Sequence, residues 1–342
     1  MSSDHSPSRF RRLASRRGAW ALLLLLVVGL YGVVVAVAGG RDALTALRLA
    51  NPWPLLGALL AQVLVTCTWP LVHRASVAAV GGRLQYPQAL NVSMSAFTVS
   101  HTVPGGGAVG AAIVVERLTG FGIPGPLATA SATLTGPIVL TTVVVLGVLG
   151  LTGAVLAGEL PDVWLLVGLI GLVALLTLLA VIVAGLRSPG LGERLIAAAG
   201  SLHRRLRRRA ESWQRSWRRV TDQEVSARQL APILGWATCK WVADIGSLAL
   251  VFLAFGQTPR LTAILVGIAV AQVGAAVPLT PGGVGFVEGG LVAAFAALGV
   301  DLPVATAVAL SYRVLETWLP SLAGVPMLLR PPSPNGDGPA QG

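Results

Sequence analysis

Long runs of apolar residues, separated by short polar breaks, dominate this chain. Seven runs are 17 to 26 residues long, and an α-helix needs about 20 apolar residues to cross a bilayer. The pattern therefore predicts an all-α membrane protein, a polytopic helical bundle. The apolar runs are residues 20–38, 55–72, 127–151, 164–186, 230–255, 261–277 and 304–329.

The composition agrees with this prediction. Only 11% of the residues are charged and 54% are hydrophobic, with a mean hydropathy of +0.75, whereas a soluble domain has roughly 25% charged residues. The two cysteines, Cys67 and Cys239, both lie inside apolar runs and predict no disulfide. We find no metal-ligand spacing and no nucleotide-binding glycine motif, so no cofactor is predicted.

The arginines predict how the chain is oriented. Five precede the first apolar run and eleven crowd the segment 187–228, and short loops rich in Lys and Arg stay on the cytoplasmic side. We therefore expect a multi-pass protein of the plasma (inner) membrane whose N-terminus, 187–228 linker and C-terminus are cytoplasmic. The first run is long and lacks an obvious cleavage site, so we interpret it as a retained anchor rather than a signal peptide.

These features divide the chain into five predicted regions. They are a basic N-terminus (1–19), a first transmembrane half (20–186) with a hairpin at 89–123, an arginine-rich linker (187–228), a second transmembrane half (229–330) with a hairpin at 261–300, and a disordered tail (331–342).

The linker carries Trp213 and Trp217 at helical spacing among its arginines. This pattern favours an amphipathic helix that lies on anionic lipid headgroups. RNA would be attracted by the same charges, but nothing else in the chain indicates a nucleic-acid partner. The sequence does not specify the oligomeric state, and a homo-oligomer is one of the alternatives.

A Pro-Gly-Gly sequence interrupts the apolar pattern twice. It occurs at Pro104, Gly105 and Gly106 and again at Pro281, Gly282 and Gly283. With the linker and both termini in the cytoplasm, each surrounding segment must start and end on the same side, and the two hairpins open to opposite sides. Such pairs are typical of inverted-repeat transporters. Whether each hairpin is re-entrant or makes two full crossings stays open.

Proline and glycine stop a helix, and the helix that follows presents free N–H groups at its start. In the second hairpin this is a candidate phosphate site, with Gly285 and Glu288 on one face of the helix. The first copy has Ala111 where the second has Glu288. The alternatives are a plain helix–turn–helix with glycines used for packing, and a protonated, hydrogen-bonded Glu288.

Charges inside the apolar runs are few. Lys240 and Asp244 have i,i+4 spacing and can pair, and Arg313 and Glu316 have i,i+3 spacing. Ionisable groups within a membrane are functional candidates, although mutual neutralisation with no role in binding is the alternative for both pairs. Arg313 is the sharper candidate because its guanidinium stays charged and fits phosphate oxygens, and Glu288 could balance it in the absence of a ligand.

The stretches "VPLTPGGVGFVEGGLVAAF", "ATAVALSYRVLETWLPSLAG" and "HTVPGGGAVGAAIVVERL" together resemble the transmembrane region of lysylphosphatidylglycerol synthases. That region belongs to a wider group of flippase-like integral membrane proteins. The resemblance spans about residues 20–330. It implies a lipid flippase fold with two broken hairpins and headgroup-site roles for Glu288 and Arg313. Many relatives have an arginine early in the first motif, where this chain has Gly110 and Ala111.

The resulting hypothesis is a protein that moves a membrane lipid, with a phospholipid or polyprenyl-linked headgroup, between leaflets. Because the chain ends at Gly342, the lysyl-transferase activity of full-length synthases is not expected. Three alternatives remain: a membrane-embedded transferase with Glu288 or Asp244 as base, an ion-coupled transporter of a small solute, and a scaffold that docks a partner on its linker.

Overall fold

The computed structural model describes residues 40–332, except 104, 162, 164–165, 167–168, 172, 174–176, 178–226, 259 and 276–279. The predicted first span, nearly all of the linker, Pro104 and the tail beyond 332 therefore lie outside the described residues.

The described part is built from helices and turns, with no strand in it. The helices are α1 (Gly40–Leu49), α2 (Pro52–Ala79), α3 (Tyr86–Thr102), α4 (Gly106–Gly120), α5 (Gly125–Leu156), α6 (Ala227–Ala254), α7 (Leu261–Ala275), α8 (Phe286–Ala297), α9 (Leu302–Arg313) and α10 (Leu319–Leu329).

Three of the described helices are long and apolar enough to span a membrane. They cover Pro52–Ala79, Gly125–Leu156 and Arg228–Ala254. Large apolar side chains on each of them are exposed, for example Leu60, Leu149 and Val242. Such side chains suit a lipid environment rather than water, and the predicted polytopic helical bundle is confirmed.

Helices α2 and α6 form the central antiparallel pair. The backbone N–H of Asn51 donates to the carbonyl of Ala254 (2.8 Å) at one end. Ser247 donates to the carbonyl of Ala58 (3.1 Å) further along, and Val72 packs with Ile233 towards the other end. The pair therefore runs side by side over most of its length.

Each half of the chain supplies a hairpin and a long partner helix. Helices α3 and α4 pack together, as do α7 and α8. Helix α3 packs on α10 of the second half, where Thr98 donates to the carbonyl of Ser321 (2.9 Å). In the reciprocal contact, α7 packs on α5 of the first half, where Gly147 lies against Ala269. This exchange, together with antiparallel α2 and α6, is the pattern of an inverted repeat.

The hairpin arms are short. Helices α3, α4, α7 and α8 have 17, 15, 15 and 12 residues, so that even the longest spans only about 26 Å at 1.5 Å per residue. The hydrocarbon core of a bilayer is about 30 Å thick. Each of these four helices is therefore shorter than the hydrocarbon core is thick.

The last apolar run is not one continuous α-helix. Between α9 and α10 the chain forms a wider π-helical segment, Val314–Trp318. Pro320 gives a physical reason, because proline has no N–H and its ring collides with the carbonyl four residues earlier, here that of Glu316. Such π segments occur frequently at functional sites.

Candidate functional site

The second hairpin tip is a tight turn of Pro281, Gly282 and Gly283. Both glycines have positive φ, +58° and +69°, a conformation that side-chain-bearing residues rarely adopt. A Cβ on Gly283 would lie 2.5 Å from the carbonyl oxygen of Gly274. The Pro-Gly-Gly sequence therefore permits both the reversal and the close approach of α7.

Glu288 lies in the first turn of α8 and caps that helix. Its Oε2 accepts a hydrogen bond from the backbone N–H of Gly285 at 2.6 Å. Its Oε1 lies 3.0 Å from the Nε of Arg313, and the Glu288 side chain is fully buried. A carboxylate of the chain itself thus occupies part of the helix N-terminus that the sequence marks as a candidate phosphate site.

Arg313 connects three parts of the bundle. Besides Glu288 on α8, its guanidinium donates to the carbonyl of Gly282 at the tip (2.9 Å) and to Glu316 in the π segment (3.0 Å). Thr317 accepts a further hydrogen bond from Nη1. The Arg313–Glu316 pair that the spacing predicts is present, and the Glu288–Arg313 pairing expected without ligand is also present.

Lys240 and Asp244 form the second predicted ion pair, with Nζ 3.0 Å from Oδ2. Two further donors reach Oδ1 of Asp244: the amide of Gln62 on α2 (2.8 Å) and the hydroxyl of Tyr312 on α9 (2.9 Å). Asp244 is fully buried. The Lys240 ammonium also lies 3.2 Å from the centre of the Trp241 ring, a cation–π contact.

The first hairpin tip matches the second at one glycine and differs at the next, since Gly106 lies in α4 and does not have the positive φ of Gly283. Gly105 has φ +68° and ψ +21°, close to the +58° and +20° of Gly282, the residue paired with it by the sequence alignment. The two tips also touch, since a Cβ on Gly282 would lie 2.8 Å from the carbonyl oxygen of His101. The turn 281–283 therefore packs against the end of α3.

A cavity of about 260 Å³ lies beside the joined tips. Its polar wall includes Lys240, Glu316, His101, Gln272 and Ser100. The first hairpin contributes a large share of the lining, and α2, α5, α6, α7 and the π segment supply the rest. Its volume is slightly below the roughly 300–1,000 Å³ that is typical of pockets for drug-sized ligands.

The predicted site residues fall into two groups. Lys240 and Glu316 line the cavity. The rest of the described set supports the structure around it: Asp244, Glu288, Arg313, Gly105, Gly106, Pro281, Gly282, Gly283 and Gly285. Pro104 lies outside the described residues.

Sequence reasoning missed several polar residues of this region. Gln62 and Gln272 are single amides inside apolar runs, and Tyr312 directly precedes Arg313. Their isolation among apolar neighbours is a signal that could have found the two glutamines, because a polar group in a membrane helix needs a partner. Within the described residues, no group of three or more His, Cys, Asp or Glu side chains could hold a metal ion.

Two comparisons with known proteins agree with this architecture. Residues 19–324 match the family described as the lysylphosphatidylglycerol synthase TM region. A UPF0104 membrane protein of Methanothermobacter thermautotrophicus is 27% identical over 327 residues, covering 89% of this chain and 93% of that protein. Since the family match spans most of the sequence, the chain belongs to the lysylphosphatidylglycerol synthase TM region family.

Proposed function

We propose that the protein moves a membrane lipid between leaflets by admitting its headgroup to the cavity beside the joined hairpin tips. The observation that carries this proposal is the position of an ammonium, Lys240, and a carboxylate, Glu316, on one cavity wall. A largely apolar cavity that contains a few charged and polar groups suits a charged headgroup, while the acyl chains stay in lipid. Family membership supports the same reading.

In this proposal the buried ion pairs hold the cavity wall in place. Asp244 positions the Lys240 ammonium, and Arg313 positions the Glu316 carboxylate. Arg313 also ties the second tip to the π segment through the carbonyl of Gly282. A headgroup that competes for Lys240 or Glu316 would therefore loosen contacts between α6, the π segment and the tips.

The buried carboxylates favour transport over group transfer. Glu288 and Asp244, the two residues that could serve as base in a membrane-embedded transferase, are both fully buried and hydrogen-bonded. A general base must come within hydrogen-bond reach of its substrate. In the present conformation Glu316 is better placed to meet a ligand, since it lines the cavity.

The test is lipid translocation in proteoliposomes that contain tail-labelled phosphatidylglycerol or phosphatidylethanolamine, read by quenching of the outer-leaflet label. We expect Lys240→Met and Glu288→Gln to slow translocation by about tenfold or more, corresponding to at least about 1.4 kcal/mol. Glu116→Gln, at an exposed site on α4, is the matched control and should translocate like wild type.

Unchanged translocation in Lys240→Met and Glu288→Gln would contradict the proposal. Product formation from a donor and a lipid acceptor would instead favour the transferase. Uptake of a soluble substrate without lipid movement would favour a small-solute transporter.

We also propose that the cavity is hydrated, because a polar wall in lipid requires water or a ligand. In a variant lacking Cys67 and Cys239, we expect Ala111→Cys, on the cavity wall, to react with a water-soluble maleimide. Ala307→Cys, at a fully buried position on α9, should not react. Equal protection of the two positions from both sides of the membrane would exclude a hydrated cavity.

A further inference from the structure

A second, smaller cavity of about 20 Å³ lies between α2, α3 and the π segment. About 10–15 Å³ is enough to hold one water molecule, so this cavity accommodates a single small occupant. Its oxygen-bearing residues are Gln62, Thr66, Ser93 and Glu316, and the remaining wall is apolar. Glu316 also lines the larger cavity.

The charges around this small cavity do not balance. Two buried cations, Lys240 and Arg313, are paired with three carboxylates, Asp244, Glu288 and Glu316. With all five ionised and nearby histidines neutral, the network has a net charge of −1. An uncompensated charge in a low-dielectric interior is strongly unfavourable.

Other titratable groups nearby do not supply the missing charge. His101 on α3 and His73 on α2 face the larger cavity, and an ordinary imidazole is mostly neutral at pH 7. Arg117, a further buried cation of the described residues, contacts the last carbonyls of α10. That end of α10 is about 20 Å from Glu316 along the helix, at 1.5 Å per residue.

The oxygens of the small cavity are suited to accept a cation. Gln62 uses its Nε2 to donate to Asp244, and its Oε1 is buried without a hydrogen-bond partner among the described residues. Because a carboxylate only accepts, this amide orientation follows from the contact. The Thr66 and Ser93 hydroxyls donate to the carbonyls of Gln62 (2.9 Å) and Ala89 (2.8 Å), which leaves their oxygen lone pairs available.

Glu316 completes the set. Its hydrogen bonds with Arg313 and Thr317 both fall on Oε2, and no described residue hydrogen-bonds Oε1. Hard cations prefer oxygen ligands such as carboxylates, amide oxygens and hydroxyls, and secondary transporters hold Na⁺ at interrupted helices. The cavity thus combines a negative charge, a partnerless acceptor, available lone pairs and room for one small ion.

We propose that Gln62, Thr66, Ser93 and Glu316 form a binding site for one dehydrated monovalent cation of the size of Na⁺. The bound ion would neutralise the five-residue network and give the Gln62 oxygen a partner. Because Glu316 also faces the larger cavity, ion occupancy would control the charge that a headgroup meets there. The cation site itself does not depend on lipid translocation.

The test is thermal unfolding of the purified full chain in detergent, in NaCl and in choline chloride of equal ionic strength. A ligand that binds only the folded state raises the midpoint as its concentration increases, whereas choline is too large for the cavity. We expect a concentration-dependent rise in Tm with Na⁺ that Glu316→Gln abolishes.

A pair of threonine variants provides the matched control. Thr66→Val removes one cavity oxygen, and we expect it to move the Na⁺ titration to higher concentration. Thr141→Val removes a half-buried hydroxyl on α5 that makes the same kind of bond to a carbonyl four residues earlier (2.7 Å), and its titration should match wild type. The comparison of these two threonine variants tests the cation site even if Glu316→Gln does not fold.

Three results would overturn the proposal: equal Tm in Na⁺ and choline, an unchanged Na⁺ response in Glu316→Gln, or equal titrations of Thr66→Val and wild type. Stability that changes with pH but not with Na⁺ would assign neutralisation to a proton instead. Since binding is measured without vesicles, its failure is distinguishable from a failure of lipid translocation.

Discussion

The two hairpin tips have one glycine conformation in common and differ in the charged residues that contact them. Gly105 and Gly282 have nearly the same φ and ψ, as expected of repeated elements. The second tip is linked through Arg313 to Glu288, whereas the first has Ala111 at the corresponding position, and Ala111 lines the cavity. The first hairpin therefore contributes residues to the cavity lining. The second tip contacts Arg313, which in turn positions the cavity-lining residue Glu316.

The repeated Pro-Gly-Gly sequence therefore keeps the left-handed conformation of one glycine, and it does not keep the charged contacts around the tip. Glycine is needed at both tips because the chain must reverse and pack closely, which is a geometric requirement. The charged contacts have a different role at the second tip, where Arg313 connects α8, the π segment and the carbonyl of Gly282. Replacing the charged residues and the glycines in separate variants tests whether the two tips differ in this way.

Removal of Arg313 should have the largest effect. Arg313→Met leaves Glu288 and Glu316 without their cation, and loss of one partner of a buried pair typically destabilises by about 3–5 kcal/mol. We expect loss of folded protein, measured by size-exclusion chromatography and thermal unfolding in detergent. Wild-type stability would show that the second tip does not depend on its charges.

Substitution at the first tip should have an intermediate effect. A Cβ on Gly106 would lie 2.0 Å from the carbonyl oxygen of Ser100, and overpacking commonly destabilises by about 1–3 kcal/mol. We expect Gly106→Ala to lower the unfolding free energy in that range. Gly107→Ala is the control, because nothing lies within 4 Å of its added Cβ, and equal stability of the two variants would contradict close packing at this tip.

The smallest effect is expected far from both tips. Arg260 pairs with Glu159 at 3.2 Å where α5 meets α7, and the Arg260 side chain is 58% exposed. Exposed ion pairs contribute about 0–1 kcal/mol and are screened by salt. Arg260→Met should therefore change the thermal unfolding midpoint little, and less at high salt than at low salt. If Arg260→Met lowered the thermal unfolding midpoint as much as Arg313→Met, the burial of an ion pair would not determine how much it contributes to stability.

Local contacts were predictable from the sequence. The pairs Lys240–Asp244 and Arg313–Glu316 follow from the spacing of residues on one helix turn. The long apolar runs likewise predicted the spanning helices, because burial in lipid requires that composition over that length. The Glu288–Arg313 contact joins two elements, and it was expected only from complementary charge.

The remaining features depend on packing between distant segments. Gln62 and Tyr312 reach Asp244 from α2 and α9, and no spacing rule relates positions 62, 244 and 312. The cap that Glu288 places on Gly285 could have been predicted from its three-residue spacing. The cavity itself follows from how α2, α5 and α6 pack around the first hairpin, and the sequence alone does not specify that arrangement.

The π segment joins α9 and α10 with a change in helical phase. One added residue turns an α-helix by about 100°, given 3.6 residues per turn. The face of α10 that meets α3, where Gly324 lies against Met94, is thus rotated relative to Tyr312 and Arg313 on α9 from where a regular α-helix would place it. Deleting one residue within 314–318 would therefore turn these two faces by about 100° relative to each other.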